Sequence, residues 1–438
     1  MSGHTAERAP EEREDTGQRS AAGFLHMLKT PGALRLIASL FVLELGSAMT
    51  TVGLPLLVIR QYGIGLEAGA TLAVRFLPNI LLGPLAGQIV DRHDPRKVAM
   101  TAALASGLIA ALFPFTTAMW QIQALALAIG VGYMFSFPAT MALRPHVIPQ
   151  GSELEGNGLI VAAERIPKLL GPALAGVTAA GLGLNALFGV EAVTAAGAAL
   201  LLVGLPRATR AVAAGPADPA TSRDGRANWL AIWLRSLVQG AASLTRMVRG
   251  DARLASLTLT AFTYMIALGL GRTFLASYAW EHFAGVPAMF GYLLAAMGFG
   301  GAVGAVVAAR FRGWNQGLVY LLGNVLEGLC WVALCVAGNA VVALALLFVA
   351  GVFESIASVV YFAEVQKRLP VELNGRYYAT LVPLSDVFLV VGTTVGGAAA
   401  AVGVAWSGIL VGAAMALPVA VLAVPLVAGA RKPAAAAA

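Results

Sequence analysis

Apolar residues in this chain come in long unbroken runs rather than in the short alternating or heptad patterns of water-soluble elements. Twelve runs are each long enough, at about 20 residues and 1.5 Å rise per residue, to cross a ~30 Å hydrocarbon layer as a helix. The first six cover Leu34–Ile59, Glu67–Val90, Val98–Met119, Ile122–Leu143, Asn157–Ala180 and Leu184–Leu205. After a hydrophilic gap, six more cover Leu254–Tyr278, Ala288–Ala309, Gln316–Ala337, Ala340–Phe362, Tyr377–Val402 and Ala405–Val427. The period-2 alternation of a lipid-facing barrel is missing, so each run must satisfy its own backbone as a helix. The pattern predicts an all-α membrane protein of about twelve transmembrane helices.

The polar stretches between the runs set the expected organisation. Residues 1–30 read as a disordered tail, 31–205 as an N-terminal six-helix bundle, 206–253 as a linker, 254–430 as a second bundle and 431–438 as a tail. Met1–Arg19 has no apolar core of a cleavable signal. Within the linker, Arg207–Arg226 is rich in Ala, Pro, Gly and charge. From Trp229 on, Leu230, Trp233, Leu237, Ala241, Leu244 and Val248 recur at helical steps, which predicts an amphipathic helix lying on the inner leaflet. The halves repeat one another: Pro149, Gly171 and Gly176 recur at one constant offset as Pro370, Gly392 and Gly397. Duplicated six-helix halves suit a carrier that rocks about a central site.

Composition agrees: 58% of residues are hydrophobic, 12% are charged, and the mean hydropathy of +0.79 exceeds what soluble domains of this length can bury. If the N-terminus is inside, 24 of the 29 Lys and Arg residues fall on inner segments, all but Arg60, Arg75, Arg165, Lys168 and Arg272. That bias predicts both termini in the cytoplasm of a bacterial inner-membrane protein. It also accounts for the net charge of +7 without a nucleic-acid partner. Cys330 and Cys335 support neither a disulfide framework nor a metal site. No cofactor is expected. The absence of G-x-x-x-x-G-K-[ST] and of H-E-x-x-H argues against ATP-driven transport and zinc proteolysis, and against an enzyme generally.

The stretch Gly83-Pro84-Leu85-Ala86-Gly87-Gln88-Ile89-Val90-Asp91-Arg92-His93-Asp94-Pro95-Arg96-Lys97 resembles the signature loop between helices two and three of the major facilitator superfamily. The resemblance implies two pseudo-symmetric bundles and a gating role for Gly83, Gly87, Asp91, Arg92, Arg96 and Lys97 at the inner surface. Gly171-Pro172-Ala173-Leu174-Ala175-Gly176 is similar to an exporter motif on helix five. Leu28-Lys29-Thr30-Pro31, Leu369-Pro370 and Asn374-Gly375-Arg376 resemble the branch of enterobactin-type exporters and macrolide efflux proteins. A lysophospholipid flippase is the alternative branch, resembled at Phe137-Pro138-Ala139, Asn157-Gly158-Leu159 and Arg272. Around Ala126–Gly132 helix four lacks the arginine of well-known drug/proton antiporters, so that coupling scheme does not transfer.

Ionisable groups within a span each need a partner, a wet cavity or a role in transport. Away from the ends of the runs, where Arg35 and Glu67 lie, there are ten, namely Glu44, Arg75, Glu164, Arg165, Lys168, Glu191, Arg272, Glu327, Glu354 and Asp386. Glu44, Glu164 and Asp386 share the midplane, about 13 to 15 Å from the inner boundary. Arg165 and Asp386 occupy equivalent positions of the repeat. Glu44 is the expected proton or substrate-cation site, with Arg75 as its long-armed partner. Glu164 and Lys168, spaced i,i+4, are expected to pair locally. Arg272 and Glu191 are expected to snorkel outward, and Glu327 has no evident role.

Helices one, four, seven and ten line the cavity in the superfamily. The resemblance therefore places Glu354 there, with Tyr133, Phe135, Phe137, Phe262, Tyr264, Phe274 and Phe353 as an aromatic wall for a bulky amphipathic solute. The resulting expectation is a monomeric, proton-coupled exporter of a siderophore, antibiotic or drug. An importer and a non-transporting receptor or scaffold are the alternatives.

Overall fold

The computed structural model describes residues 29–149, 153–205, 238, 241–283, 288–311, 313–369 and 371–427; side chains at 83–85, 87–88, 91, 153–155, 157–158, 161, 371–372, 374–376, 379 and 382–383 are outside the description. Among the described residues twelve long helices follow in order, the first six being α1 Pro31–Tyr62, α2 Leu66–Arg92, α3 Pro95–Ala110, α4 Met119–Val147, α5 Glu153–Leu182 and α6 Asn185–Val203. After the linker come α7 Ala252–His282, α8 Met289–Val307, α9 Gln316–Leu334, α10 Ala340–Arg368, α11 Val371–Val402 and α12 Val404–Val421. A short α13, Ala423–Val427, follows. Among the described residues ten helices are long and apolar enough to cross a bilayer. The other two, α2 and α5, carry Arg75 and the Glu164-Arg165-Lys168 cluster respectively.

The repeat runs through the helices at the offset that relates Pro149 to Pro370. The same shift carries Pro31 onto Ala252, Pro95 onto Gln316, and both ends of α4, Met119 and Val147, onto Ala340 and Arg368 of α10. Even a cap is kept. Asp94 accepts from the Arg96 backbone N–H at 3.0 Å to start α3, and Asn315, its equivalent, accepts from Gly317 and Leu318 to start α9.

Within the first half α1 packs on α5 and α6, α2 on α4, and α3 on α4 and α6; the second half repeats this with α7 on α11 and α12, α8 on α10, and α9 on α10 and α12. Two seams join the halves, α2 against α11 and α5 against α8. Leu108, Leu182, Val193, Leu200, Val306 and Val421 project from the outer faces. An apolar surface this extensive is suited to lipid and not to water.

The glycines set these approaches. A Cβ at Gly171 would press on Ala48 of α1, and one at Gly392 would run into the Ile266 carbonyl of α7, so this pair packs helices inside each half. The next pair, Gly176 and Gly397, faces the other half instead. A Cβ on Gly176 would lie 2.9 Å from the carbonyl of Ala288, the residue before α8, and one on Gly397 would lie 3.1 Å from the carbonyl of Gly65, the residue before α2. Both contacts lie at one end of the bundle, where α5 and α11 finish and α2 and α8 begin.

Of the linker, 238 and 241–253 are described; 241–248 is helical, with Thr245 and Arg246 on an exposed face. Leu244 is buried in a cluster with Leu254, Tyr320 and Leu369, joined by Met247 and Val248. Leu244 and Val248 of the expected amphipathic face therefore pack on the second half, while Ala241 is exposed; Trp229, Leu230, Trp233 and Leu237 lie outside the described residues.

At the linker end of the second half the charges are paired. Glu364 contacts Arg253 at 3.2 Å, Lys367 at 3.3 Å and Arg368 at 3.6 Å, while Arg368 reaches Asp251 at 2.5 Å. Asp251 also caps α7 through the N–H groups of Arg253 and Leu254. Burial works against its charged form, but the Leu254 N–H and the Arg368 guanidinium outweigh it and hold the carboxyl below the usual aspartate range.

Candidate functional site: two cavities related by the repeat

Each half contains a cavity built from equivalent positions. The first, about 80 Å³, is lined by α1, α2, α3, α4, α5 and α6; the second, about 330 Å³, by α7, α9, α10 and α11. Leu40 and Ala261, Ala103 and Asn324, Tyr133 and Glu354, Thr140 and Tyr361, and Glu164 and Ser385 are pairs at the repeat offset, and every member faces its own cavity. The fold therefore prepares the same concavity twice and the side chains differentiate it.

Charge fills the first cavity. Lys168 Nζ lies 3.3 Å from Glu44 Oε2, and Arg144 donates to Glu164 Oε1 at 2.7 Å. The expected Glu164–Lys168 pair is thus replaced by two interhelical pairs, because Arg144 at the end of α4 reaches back to α5 and leaves Lys168 to α1. Arg75 is also not the direct partner of Glu44: its guanidinium donates to Ser47 at 3.1 Å and Thr51 at 3.3 Å, one and two turns along α1. Glu191 does not snorkel. It is 4% exposed, lines this cavity, and has Oε2 without a hydrogen-bond partner among the described residues.

The second cavity is aromatic and acidic, with Tyr264, Tyr320, Tyr361, Phe362 and Tyr378 around Glu354, Ser385 and Asp386. Arg272 approaches it from α7. It interacts with Asp386 and Glu354 of its own half and with Arg75 of the other, and lies 5.8 Å from the Phe76 ring of α2. Snorkelling is excluded for Arg272 too, since its neighbours lie at the α2–α7–α11 junction. Asn79 of α2 donates to Asp386 at 3.2 Å, a hydrogen bond across the seam between halves.

Arg165 and Asp386 do occupy equivalent places, but Arg165 is exposed, lines neither cavity and makes no ion pair among the described residues. Of the expected aromatic wall, Tyr133, Phe137 and Tyr264 line cavities. Phe135 and Phe353 line neither, Phe262 stacks on Phe388 at 4.8 Å, and Phe274 is buried among Tyr278 and Trp331. Helix rotation turns Phe262 onto α11 and Phe274 onto α9, away from the opening. Tyr320, Tyr361, Phe362 and Tyr378 escape the sequence reading. Tyr361 is the repeat equivalent of Thr140 and lies two helical turns after Glu354, so helical spacing from Glu354 carries the signal.

In the signature loop, Gly83, Gly87 and the Asp91 side chain lie outside the described side chains. Arg96 donates to the Leu205 carbonyl at 2.7 Å, tying α3 to the end of α6, while Arg92 and Lys97 are exposed. Pro172 belongs to α5, and its carbonyl meets Gly291 of α8. Among the described residues no group of His, Cys, Asp and Glu could hold a metal ion.

The family model described as Major Facilitator Superfamily matches residues 36–386. The chain belongs to that superfamily. Among its relatives are the uncharacterized MFS-type transporter YfiS of Bacillus subtilis (strain 168), 22% identical over 84% of this chain and 86% of that protein, and macrolide efflux protein A of Enterococcus faecalis, 22% identical over 57% and 74%. The multidrug efflux pump Tap of Mycolicibacterium fortuitum is 28% identical over 32% of this chain and 36% of its own length. The solved nucleoside transporter NupG shares the fold with a TM-score of 0.67 at 12% identity, covering 90% of this chain and 98% of that one. A major facilitator of this kind is a multi-pass membrane transporter of a small molecule and not an enzyme.

Proposed function

We propose that this major facilitator is a proton-driven exporter of bulky amphipathic molecules of the antibiotic or drug kind, acting as a monomer in the bacterial inner membrane with both termini in the cytoplasm. The observation that carries the reading is the pairing of one charged and one aromatic–acidic cavity at equivalent places in the two halves. The larger, tyrosine-lined cavity suits an amphipathic body, and Glu354 and Asp386 suit a basic group on it. Siderophore export fits less well, since an anionic chelator would meet two carboxylates there. The relatives named for macrolide and multidrug efflux support the direction of transport.

Glu44 is the coupling residue of this reading. Protonation of its carboxylate would release Lys168, and deprotonation would recapture it, so one proton changes the contact between α1 and α5 beside the seam. The two bundles, 31–205 and 254–430, would pivot about the seams, with the linker 206–253 spanning them and Gly83–Lys97 latching the inner face. Arg272, Arg75 and Asp386 would set the charge at the pivot, with Arg165 on the facing helix.

Inside-out vesicles test this. With ethidium or a radiolabelled macrolide as probe, an imposed pH gradient should drive uptake by the wild type. Glu44→Gln should remove the pH-gradient response while leaving a folded protein. Uptake by Glu44→Gln with unchanged gradient dependence would exclude Glu44 from coupling, and probe movement in the opposite direction would exclude export.

A further inference from the structure

Glu327 lies on α9, away from the helices that carry the proposed coupling, and is 0% exposed. Its Oε1 receives the Tyr264 hydroxyl at 3.5 Å, and its Oε2 has no hydrogen-bond partner among the described residues. The Trp331 N–H, one turn along, lies nearby without completing a bond. Among the described residues no Lys or Arg forms an ion pair with it. The titratable groups facing it are Tyr264 from α7, Glu354 from α10, and Tyr320 and Cys330 on α9 itself; α12 and α13, which also pack on α9, offer none. Arg272, the cation further along α7, interacts with Glu354 and Tyr264 instead.

Two carboxyls therefore share one phenol. Tyr264 interacts with Glu354 as well as with Glu327. Their surroundings differ in one decisive respect: Glu354 faces the cavity and Arg272, whereas Glu327 faces neither. An ionised carboxylate with no cation and an unpaired oxygen is far costlier in such a place than a protonated one. The repeat explains how an acid came to be there. Glu327 is the equivalent of Ser106, which lines the first cavity, so its register on α9 is a cavity register, screened in this half by Tyr264 and Tyr320.

We infer that Glu327 is a second proton site of the transporter, holding a proton behind the aromatic wall and exchanging it with Glu354 through the Tyr264 hydroxyl. In the transfer the Tyr264 O–H turns from Glu327 to Glu354, the Glu327 carboxyl gives its proton to the phenol oxygen, and the phenol proton passes to the Glu354 carboxylate. One O–H bond breaks and one forms at each step, Tyr264 is restored, and Glu327 is left as carboxylate. This deepens the proton-driven reading above and rests on it for its role in transport, although protonation of Glu327 can be read independently.

The test has two arms on purified full-length protein. Infrared difference spectroscopy between acidic and alkaline buffer should show a protonated-carboxyl C=O band in the wild type that disappears in Glu327→Gln and persists in Tyr264→Phe. In proteoliposomes with ethidium, Glu327→Gln should keep probe exchange in the absence of a gradient but lose at least tenfold of the acceleration given by a pH gradient. Tyr264 also lines the solute cavity, so Tyr264→Phe is read as a ratio: gradient-driven flux should fall by more than gradient-free exchange does. A carboxyl band unchanged in Glu327→Gln overturns the inference even if no probe is transported, and a normal gradient response in that variant overturns its role in coupling. Wild-type protein that fails to move any probe while showing the band would count against the transport reading alone. Melting temperature and gel-filtration profile establish that each variant is folded, and Glu327→Asp provides a rescue in the event that Glu327→Gln does not fold.

Discussion

The α5–α8 seam gives a sharp test because it is made of backbone against backbone. Replacing Gly291 by Ala would set a Cβ 2.7 Å from the Gly176 nitrogen and 2.9 Å from its Cα, and against the Pro172 carbonyl as well. Carbon–heavy-atom contacts relax at about 3.5–4.0 Å, so the two helices must separate by roughly 1 Å at this end. No flexible side chain can yield, since all the nearest atoms belong to the α5 backbone. Overpacking of this kind costs about 1–3 kcal/mol. If the halves exchange between closed and open arrangements at this end, the cost falls only on the closed one, and the equilibrium shifts about 5- to 150-fold. Spin labels at Tyr62 and Val402, exposed near the same end on opposite halves, report the change after Cys330 and Cys335 are replaced. The distance distribution should move to longer values in Gly291→Ala, with helical content unchanged. An unchanged distribution in the folded variant would refute the argument that this contact closes the seam.

Further outcomes follow from the paired charges. Glu364→Gln leaves Arg253 and Arg368 together without their shared carboxylate and should destabilise the protein by about 3 kcal/mol, read as a lower midpoint in denaturant or heat. Asp251 has a folded value below the ordinary aspartate value of about 4, so its contribution is complete above that pH and is lost as the pH falls below it; Asp251→Asn should flatten the fall in melting temperature on acidification below about pH 4 and leave the profile above it unchanged in shape. Lys168→Met removes the only ion-pair partner of Glu44 among the described residues, and pH-gradient-driven ethidium transport should fall about tenfold with its pH optimum displaced, a shift of about 1.4 kcal/mol in the coupling step. Asn79→Ala removes the cross-seam hydrogen bond to Asp386 and should cost about 1 kcal/mol of the arrangement it bridges, seen with the same spin labels.

The helices were legible because lipid imposes a single length scale on apolar runs, and the repeat because Pro and Gly are held at helix starts and close approaches. Leu34–Ile59 foretold α1 at Pro31–Tyr62, and Gly176 and Gly397, equivalent in the repeat, each meet the other half. The pairing of intramembrane charges was not legible from one helix at a time. Spacing offered Glu164 and Lys168 to each other, yet both have better partners on helices that sequence distance cannot rank. Glu327 reads as idle because helix nine is not among helices one, four, seven and ten that the resemblance puts at the cavity, although the repeat offset relates it to Ser106 and so to a cavity wall. Among aromatic residues the difficulty was angular: at about 100° per residue, Phe135 and Phe137 point differently, and only the latter faces the opening.

The closest approaches at the seams are between glycine backbones, and apart from Asp386, which Asn79 reaches across the seam, the side chains of the second cavity lie on other turns. Tyrosines along the cavity wall can therefore drift without disturbing the surfaces on which the halves meet. A descendant could trade tyrosines for smaller or charged groups along α7 and α10 and inherit an intact hinge, which is a physical route by which one ancestral machine acquires new cargo.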